Sequence, residues 1–302
     1  MKNEWDCVVI GGGAAGLSAA LVLGRARRRT LLLDTGGQSN RVADGIGGLL
    51  GNDRRPPAEF YAAGRQEIAA YGPVEMRDVE AVDGERREDG FALELTGGEE
   101  VTAATVLLAT GMDYRYPDVP GAAERWGGSV FHCPFCHGWE VRGKDLAALG
   151  SDDATVHKAL LLTAWSDSVT VLSDGNELPE CAAETLAGAG VEVDPRPVTA
   201  LHGPGVELAA VAFEDGSERP LGGLLVGVTL AARSELPYVL GATRAPASPM
   251  SADAVEVDFA MNAGVPGLFA AGDLLPKPPS VPAAIASGNF AAAMVVRELT
   301  AA

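Results

Sequence analysis

A glycine-rich turn near the N-terminus constrains the fold most strongly. The apolar residues 7–10 lead into Gly11-Gly12-Gly13-Ala14-Ala15-Gly16, and an apolar helix pattern follows. This is Gly-x-Gly-x-x-Gly between a strand and a helix, the setting in which a pyrophosphate lies at a helix N-terminus. Gly11 permits the tight turn, Gly13 lets the pyrophosphate approach the backbone, and Gly16 lets the helix pack on the sheet. The stretch predicts a dinucleotide-binding α/β unit.

An acidic residue completes this unit. A second apolar strand over residues 30–33 ends at Asp34, whose carboxylate is placed to accept a hydrogen bond from a ribose hydroxyl. Glycines alone would be weak evidence, but strand, glycines, helix, strand and acid together are specific. The polar loop that follows, residues 35–41, can run along a bound cofactor or can be an ordinary surface loop.

The remaining periodicity predicts the rest of this domain. We expect a helix over residues 57–71, and a small antiparallel sheet from residues 74–79, 91–95 and 101–103, with turns at Gly84 and Gly97-Gly98. An apolar strand ending at Thr110-Gly111 returns to the parallel sheet. Near the C-terminus we expect strands over residues 255–258 and 267–271, the second followed by Gly272-Asp273, and a final helix over residues 283–298.

Cys133-Pro134-Phe135-Cys136-His137 carries the chemistry. A Cys-x-x-Cys at a helix start has a lowered thiol pKa, and the thiolate is the nucleophile. His137 is a proton acceptor at neutral pH. Zinc usually needs a second Cys/His pair, c-type haem attachment needs export, and a purely structural pair is a further alternative. We interpret the motif as a redox dithiol.

An internal repeat indicates a second domain of the same type. Residues 145–150 resemble residues 6–11 at an offset of 139 (150 minus 11), and an apolar helix and strand continue the match. Asp152 stands where the first copy has Gly13, and Thr155 where it has Gly16. Asp152 and Asp153 would repel a pyrophosphate, and the five residues after the second strand contain no arginine for the 2′-phosphate of NADP.

The composition excludes several classes of protein. The 302 residues suffice for two domains. A formal charge of -18 argues against nucleic acids and anionic membranes as partners, because both need a basic face. No leader peptide and no apolar run of about 20 residues is recognisable, and four cysteines make no disulfide framework. We expect a cytoplasmic protein that binds neither membrane nor metal.

The order of the motifs resembles the low-molecular-weight thioredoxin reductases. The resemblance rests on Gly11 to Gly16, Gly37-Gln38, Ala109-Thr110-Gly111, the two cysteines and Ala271-Gly272-Asp273. It implies an α/β homodimer with two Rossmann-like (three-layer ββα-type) nucleotide-binding domains, the second inserted in the first. FAD would be bound by residues 1–114 and 237–302, and residues 115–236 would carry the dithiol. Cys136 would face the flavin and Cys133 would exchange with the substrate. By position, the residues implied to bind FAD are Gly11, Gly13, Ala14, Ala15, Gly16, Asp34, Thr35, Gly37, Gln38, Asn52, Val79, Thr110, Gly111, Gly272, Asp273, Val281 and Pro282.

The departures from those reductases favour a particular reaction. The lost NADPH motif and the Cys-Pro-Phe-Cys-His-Gly form are similar to the dithiol oxidases of the gliotoxin and holomycin type, which close disulfides in small molecules and pass electrons through FAD to oxygen. That resemblance implies His137 as the base. A thioredoxin reductase-like enzyme that uses NADPH or ferredoxin to reduce a thioredoxin-like protein, and a non-catalytic FAD redox sensor, are the alternatives.

Overall fold

The chain divides into two compact units. The structure, a computed structural model, describes residues 4–301. The first unit contains residues 4–41, Pro57–Tyr114 and 229–301, and the second contains Val42–Pro56 and Arg115–Val228. The sequence predicted a second domain over residues 115–236. The contacts end this unit at residue 228 and add the segment Val42–Pro56, which comes from the first third of the chain.

Strands and helices alternate through most of the chain. The strands are β1 (Trp5–Ile10), β2 (Thr30–Leu33), β3 (Val74–Arg77), β4 (Ala81–Arg87), β5 (Gly90–Leu95), β6 (Glu100–Leu108), β7 (Met112–Arg115), β8 (Val130–Phe131), β9 (Leu146–Leu149), β10 (Val169–Leu172), β11 (Glu192–Asp194), β12 (Val198–His202), β13 (Ala210–Phe213), β14 (Glu218–Pro220), β15 (Gly223–Val226), β16 (Thr229–Ala232) and β17 (Leu268–Ala270). The α-helices are α1 (Ala14–Arg25), α2 (Pro57–Ala69), α3 (Ala122–Arg125), α4 (Pro134–His137), α5 (Asp153–Leu162), α6 (Ala182–Gly188), α7 (Leu236–Val239) and α8 (Val281–Ala301). Short 3-10 turns cover Ser39–Val42 and Gly272–Leu274. Within residues 4–301, no helix is both long and apolar enough to span a bilayer.

The first unit is built on a mixed sheet in the order β3-β2-β1-β6-β5-β4, with β17 also paired to β6. Strands β1, β2 and β3 run parallel to one another. Strand β6 is parallel to β1, and β17 is parallel to β6. The nine-residue β6 pairs antiparallel with β5 along its first half and parallel with β17 along its second half. The ends of the parallel strands therefore meet at one carboxyl edge.

Three strand predictions need correction. Residues 74–77 were expected in an antiparallel sheet but lie parallel to β2, because α2 makes the crossover of a βαβ unit. Gly84 lies inside β4 rather than in a turn, and a Cβ there would come within 2.9 Å of Leu93 and Leu240. Residues 255–258 form no strand, since Val255 makes only an isolated bridge to Arg244.

Close packing of α8 on α1 positions the turn after β17. A Cβ on Gly288 would overlap the carbonyl oxygen of Ala15, so only glycine permits this approach. The Ser18 hydroxyl donates to the Ile285 carbonyl at 2.9 Å, and the Gly272 N–H donates to the Ser287 hydroxyl at 3.0 Å. The C-terminal helix is thus fixed both to the helix that follows the glycine turn and to Gly272-Asp273.

The second unit repeats the first strand-helix-strand arrangement. Its parallel sheet has the order β11-β10-β9-β15-β8, and an antiparallel sheet of β12, β13 and β14 accompanies it. The ends of β9 and β10 and the start of α5 lie 139 residues after those of β1, β2 and α1 (149 minus 10, 172 minus 33, 153 minus 14). The Gly150 N–H donates to Leu172 as the Gly11 N–H donates to Leu33. These correspondences confirm the repeat.

We predict that Gly288→Ala destabilises the first unit by about 1–3 kcal/mol, because the methyl group must push two helix backbones apart. Urea unfolding followed by circular dichroism measures this change. Gly72→Ala is the matched control, since a Cβ there meets no atom within 4 Å. Equal unfolding midpoints for both variants would contradict the packing argument.

Candidate functional site

Close packing requires glycine at two positions in the turn after β1, Gly11 and Gly16. Gly11 has φ +106°, a conformation that other residues rarely adopt, and a Cβ on it would overlap the carbonyl oxygen of Ala109. A Cβ on Gly16 would overlap the carbonyl oxygen of Gly11. These two positions bring the start of α1 against the sheet, which is the geometry that the motif predicted.

Gly13 differs because it faces open space. It is the N-cap of α1, no side chain caps the helix there, and no acidic residue lies in the first turn. The nearest atom to a Cβ on Gly13 is Cγ of Gln38, at 3.8 Å. Main-chain donors and the positive end of the helix dipole are thus accessible to an anion. This cradle fits the pyrophosphate of a dinucleotide.

Asp34 is held at the end of β2. Its carboxylate accepts hydrogen bonds from the Gly36 N–H at 2.9 Å, from Gln38 Nε2 at 3.1 Å and from Arg65 at 2.9 Å. A Cβ on Gly12 would overlap this carboxylate, so Asp34 packs directly on the glycine turn. Sequence reasoning missed Arg65, which also pairs with Asp78, because no motif marks a cation on α2.

Most other predicted cofactor residues lie at this carboxyl edge or next to it. Thr110-Gly111, Val79 and Gly272-Asp273 follow β6, β3 and β17, respectively. Ala14 and Ala15 form the first turn of α1, Thr35, Gly37 and Gln38 lie in the loop after β2, and Val281 and Pro282 begin α8. Asn52 belongs to the second unit, where its side chain accepts a hydrogen bond from Arg55.

Asp273 lies in a half-buried polar pair. Its carboxylate accepts a hydrogen bond from the Tyr114 hydroxyl at 2.9 Å. Burial raises the pKa of Asp273, while the Tyr114 bond and the charge of Arg233 oppose that rise. Arg233 also donates to the Gly37 carbonyl at 2.7 Å. Tyr114 and Arg233 were not predicted, because their importance depends on contacts between distant parts of the chain.

The cysteines lie at the start of the one-turn helix α4, directly after β8. Both are in the reduced thiol form, and Cys133 is the N-cap residue. Donation from the Cys136 thiol lowers the pKa of Cys133 to about 7, helped by the N–H groups of Cys136 and Phe135 and opposed by burial. At neutral pH a large fraction of Cys133 is therefore thiolate, the reactive form.

His137 is oriented as a neutral base. Its Nε2 lies 3.1 Å from the Gly127 carbonyl, which can only accept, so Nε2 carries the hydrogen. Its buried Nδ1 has no hydrogen-bond partner among the described residues and therefore keeps a free lone pair. Burial lowers the pKa of His137, although Glu140, Gly127 and Asp44 oppose this. The ring also stacks on Phe131, with centroids 5.8 Å apart.

A loop from the first third of the chain packs against the dithiol helix. A Cβ on Gly47 would lie 2.5 Å from the carbonyl oxygen of Cys136, so the two backbones are in contact. The sequence offered only a weak signal for this contact, the run Gly45-Ile46-Gly47-Gly48. The segment Val42–Pro56 thus contributes to the surroundings of Cys136 within the second unit.

In the second unit, a side chain fills the turn after β9 that corresponds to the glycine turn after β1. Asp152 is the N-cap of α5, and its Oδ1 accepts from the Thr155 N–H at 2.8 Å and the Thr155 hydroxyl at 2.6 Å. These Thr155 bonds lower the pKa of Asp152, so the carboxylate stays charged at neutral pH. Asp153 adds a second charge in the first turn. The residues here do not fit a pyrophosphate.

We expect Gly13→Asp to abolish retention of FAD by purified protein while apo α1 remains folded, because aspartate is a good N-cap and the position is open. Gly13→Asn is the control of equal size without the charge, and it should retain at least about tenfold more flavin, a difference of about 1.4 kcal/mol. Flavin release and titration of the apoprotein measure both. Full occupancy in Gly13→Asp would contradict the cradle.

Known proteins support the arrangement along the whole chain. "Thioredoxin reductase tcpT" of Claviceps purpurea is 34% identical, and the match covers 99% of this chain and 96% of that protein. An oxidoreductase from Agrobacterium tumefaciens has a TM-score of 0.92 at 32% identity, with 99% of each chain covered. HlmI has a TM-score of 0.89 at 33% identity, covering 100% of this chain and 95% of its own.

A family model described as "Pyridine nucleotide-disulphide oxidoreductase" matches residues 5–288. Together with these relatives it confirms the predicted resemblance to thioredoxin reductase-like enzymes and the two-domain α/β fold with Rossmann-like units. It also confirms that the protein is an oxidoreductase with FAD as its cofactor. The chain therefore belongs to the pyridine nucleotide-disulphide oxidoreductase family.

Proposed function

We propose that this flavoprotein is a dithiol oxidase that converts a small substrate dithiol to a disulfide, delivers the electrons through FAD to oxygen, and does not use NADPH. The observation that carries this proposal is the carboxylate of Asp152 at the N-terminus of α5, where a reductase would bind the pyrophosphate of NADPH. An intact dithiol beside a neutral histidine supports turnover rather than a purely sensory role.

The first unit would hold FAD. The open backbone at Gly13 and the N-terminus of α1 suit the pyrophosphate, and Asp34 suits the adenosine ribose. Arg65 and Gln38 would keep the Asp34 carboxylate oriented. When bound, FAD supplies two-electron acceptance from a thiol pair and reoxidation by oxygen, with hydrogen peroxide as product. The resemblance assigns the remaining contacts to the predicted residues at the same edge.

The second unit would exchange disulfides with the substrate. In the oxidised enzyme a substrate thiolate attacks Cys133, the Cys133–Cys136 bond breaks, and Cys136 leaves as a thiolate. The second substrate thiolate then attacks the substrate sulfur of the mixed disulfide and releases Cys133. The substrate is oxidised by two electrons, and the enzyme dithiol carries them onward. A Cys133 pKa of about 7 favours it as a leaving group at neutral pH.

His137 would take the proton from the substrate thiol. Its Nδ1 has the free lone pair, and the bond from Nε2 to Gly127 fixes the tautomer. Because burial lowers the pKa of His137 below the ordinary value of a histidine, the neutral imidazole is the favoured form at neutral pH. We therefore assign it the role of general base.

A second candidate is reduction of a thioredoxin-like protein with NADPH or ferredoxin. The names of relatives from several organisms favour it. It would require an NADPH site other than the turn filled by Asp152, or a protein electron donor. For both candidates we also propose, from the same resemblance, that the protein forms a homodimer and is cytoplasmic.

The two candidates differ in what reduces the flavin. We expect a small dithiol to bleach the flavin without oxygen, and NADPH to do so much more slowly than a turnover time of about 0.1 s. Anaerobic stopped-flow mixing with NADPH, reduced ferredoxin and dithiothreitol compares them, and peroxide formation in air checks the acceptor. Complete reduction by NADPH within one turnover would establish the reductase instead.

We predict that His137→Ala slows anaerobic flavin reduction by a dithiol about 10²–10⁴-fold at neutral pH, because the general base is lost. The loss should shrink as the pH approaches the pKa of a free thiol, about 8.5, where the substrate ionises by itself. Stopped-flow rates at several pH values measure this. His157→Ala, on the exposed face of α5, is the control. A uniform loss at every pH would indicate a structural role for His137.

A further inference from the structure

Two paired strands at the boundary of the first unit support the loops that the sequence assigned to the cofactor. Strands β7 and β16 form a two-stranded sheet where the chain leaves the first unit after Tyr114 and re-enters it at Thr229. Tyr114 lies on β7, and Arg233 directly follows β16. The Tyr114 side chain reaches the turn after β17, and the Arg233 side chain reaches the loop after β2. One small sheet therefore contacts both loops.

The two carboxylate oxygens of Asp273 have different surroundings. Oδ2 accepts a hydrogen bond from the Tyr114 hydroxyl at 2.9 Å, whereas Oδ1 accepts none within residues 4–301. Oδ1 is therefore available to a hydroxyl group of a ligand. An ionised carboxylate accepts such a bond much more strongly than a protonated one. Because burial raises the pKa of Asp273, its ionised form needs support from neighbouring groups.

Tyr114 and Arg233 supply that support. The Tyr114 hydrogen bond, and after it the positive charge of Arg233, lower the pKa of Asp273. Tyr61 on α2 also faces Asp273, but burial raises its pKa to about 12, so it stays neutral. All four histidines belong to the second unit. As the pH falls, Asp273 is therefore the member of this cluster that loses its charge.

Arg233 is itself held in place. One of its NH groups donates to the Gly37 carbonyl at 2.7 Å, and its Nε lies 3.2 Å from Oδ1 of Asp113 on β7. Gly37 belongs to the loop that follows Asp34, the residue suited to the adenosine ribose. The guanidinium thus ties this loop to β7, and a loop fixed in this way loses little conformational freedom when a ligand binds.

We propose that Tyr114 and Arg233 are positioning residues for FAD, which hold Asp273 and the Gly37 loop in the form that binds the cofactor, with Oδ1 of Asp273 accepting from a cofactor hydroxyl group. The inference rests on the FAD site proposed for the first unit and is independent of the oxidase reaction. Since the carboxylate is the binding form, protonation weakens binding as the pH falls. Removal of either support moves this loss to higher pH.

Equilibrium dialysis of the holoprotein at about pH 8 and about pH 5.5 gives the dissociation constant of FAD. Tyr114→Phe should raise this constant at both pH values. The ratio of the variant constant to the wild-type constant should be at least about fivefold larger at the lower pH. Tyr238→Phe is the matched control, because it removes a hydroxyl that donates to the Asp253 carbonyl in the same unit. Its ratio should be equal at both pH values.

Two further comparisons test the electrostatic part of the proposal. Arg233→Met should show the same pH-dependent loss of affinity, whereas Arg233→Lys, which keeps the positive charge, should recover most of the wild-type pH profile. In an Asp273→Asn background the titrating carboxylate is absent. Addition of Tyr114→Phe to that background should therefore change the dissociation constant by the same factor at both pH values.

The outcomes separate a positioning role from a purely structural one. A Tyr114→Phe ratio that is equal at both pH values would overturn the proposal, as would a pH-dependent ratio that persists in the Asp273→Asn background. Wild-type affinity in both Gly13→Asp and Asp273→Asn would show that the FAD site itself is wrongly placed. The predicted pH profiles without oxygen consumption by a dithiol would support the positioning residues and refute only the oxidase assignment.

Discussion

The first N–H groups of a helix need acceptors, and in this protein the identity of the acceptor distinguishes the two units. Helices α1 and α5 start at equivalent places in the repeat, each directly after a parallel strand. At α1 the cap is Gly13, and the donors are left for a ligand phosphate. At α5 the side chain of Asp152 satisfies them internally. One carboxylate thus distinguishes the open helix end of the first copy from the capped helix end of the second.

The same helix-end physics acts on the dithiol. Cys133 is the N-cap of α4, so N–H groups of the first turn favour its thiolate, and the Cys136 thiol adds a further hydrogen bond. His137 closes that single turn, and its tautomer is set by a carbonyl ten residues earlier. Cys133, Cys136 and His137 are therefore held within five consecutive residues, and the Gly127 carbonyl, the Phe131 ring and the Gly47 backbone support them from outside.

The sequence was informative wherever chemistry depends on local spacing. The glycine turn, the acid at Asp34, the repeat and the Cys-x-x-Cys-His helix were all predicted, because each is defined by residues close together in the chain. Errors arose where contacts between distant segments of the chain determine the structure. Strand β3 joins the parallel sheet through α2, and Gly84 is required by Leu240 rather than by a turn. Arg65 and Tyr114 gain their roles only when folding brings them to Asp34 and Asp273.

The contact between Gly47 and Cys136 limits how the protein can be dissected. A fragment of residues 115–228 looks complete in the linear sequence, with its own sheet and both redox cysteines. It would nevertheless lack the segment Val42–Pro56, and with it the backbone packed on Cys136. A minimal redox module for transplantation into another scaffold would have to carry two pieces of chain, joined by a linker that replaces residues 57–114.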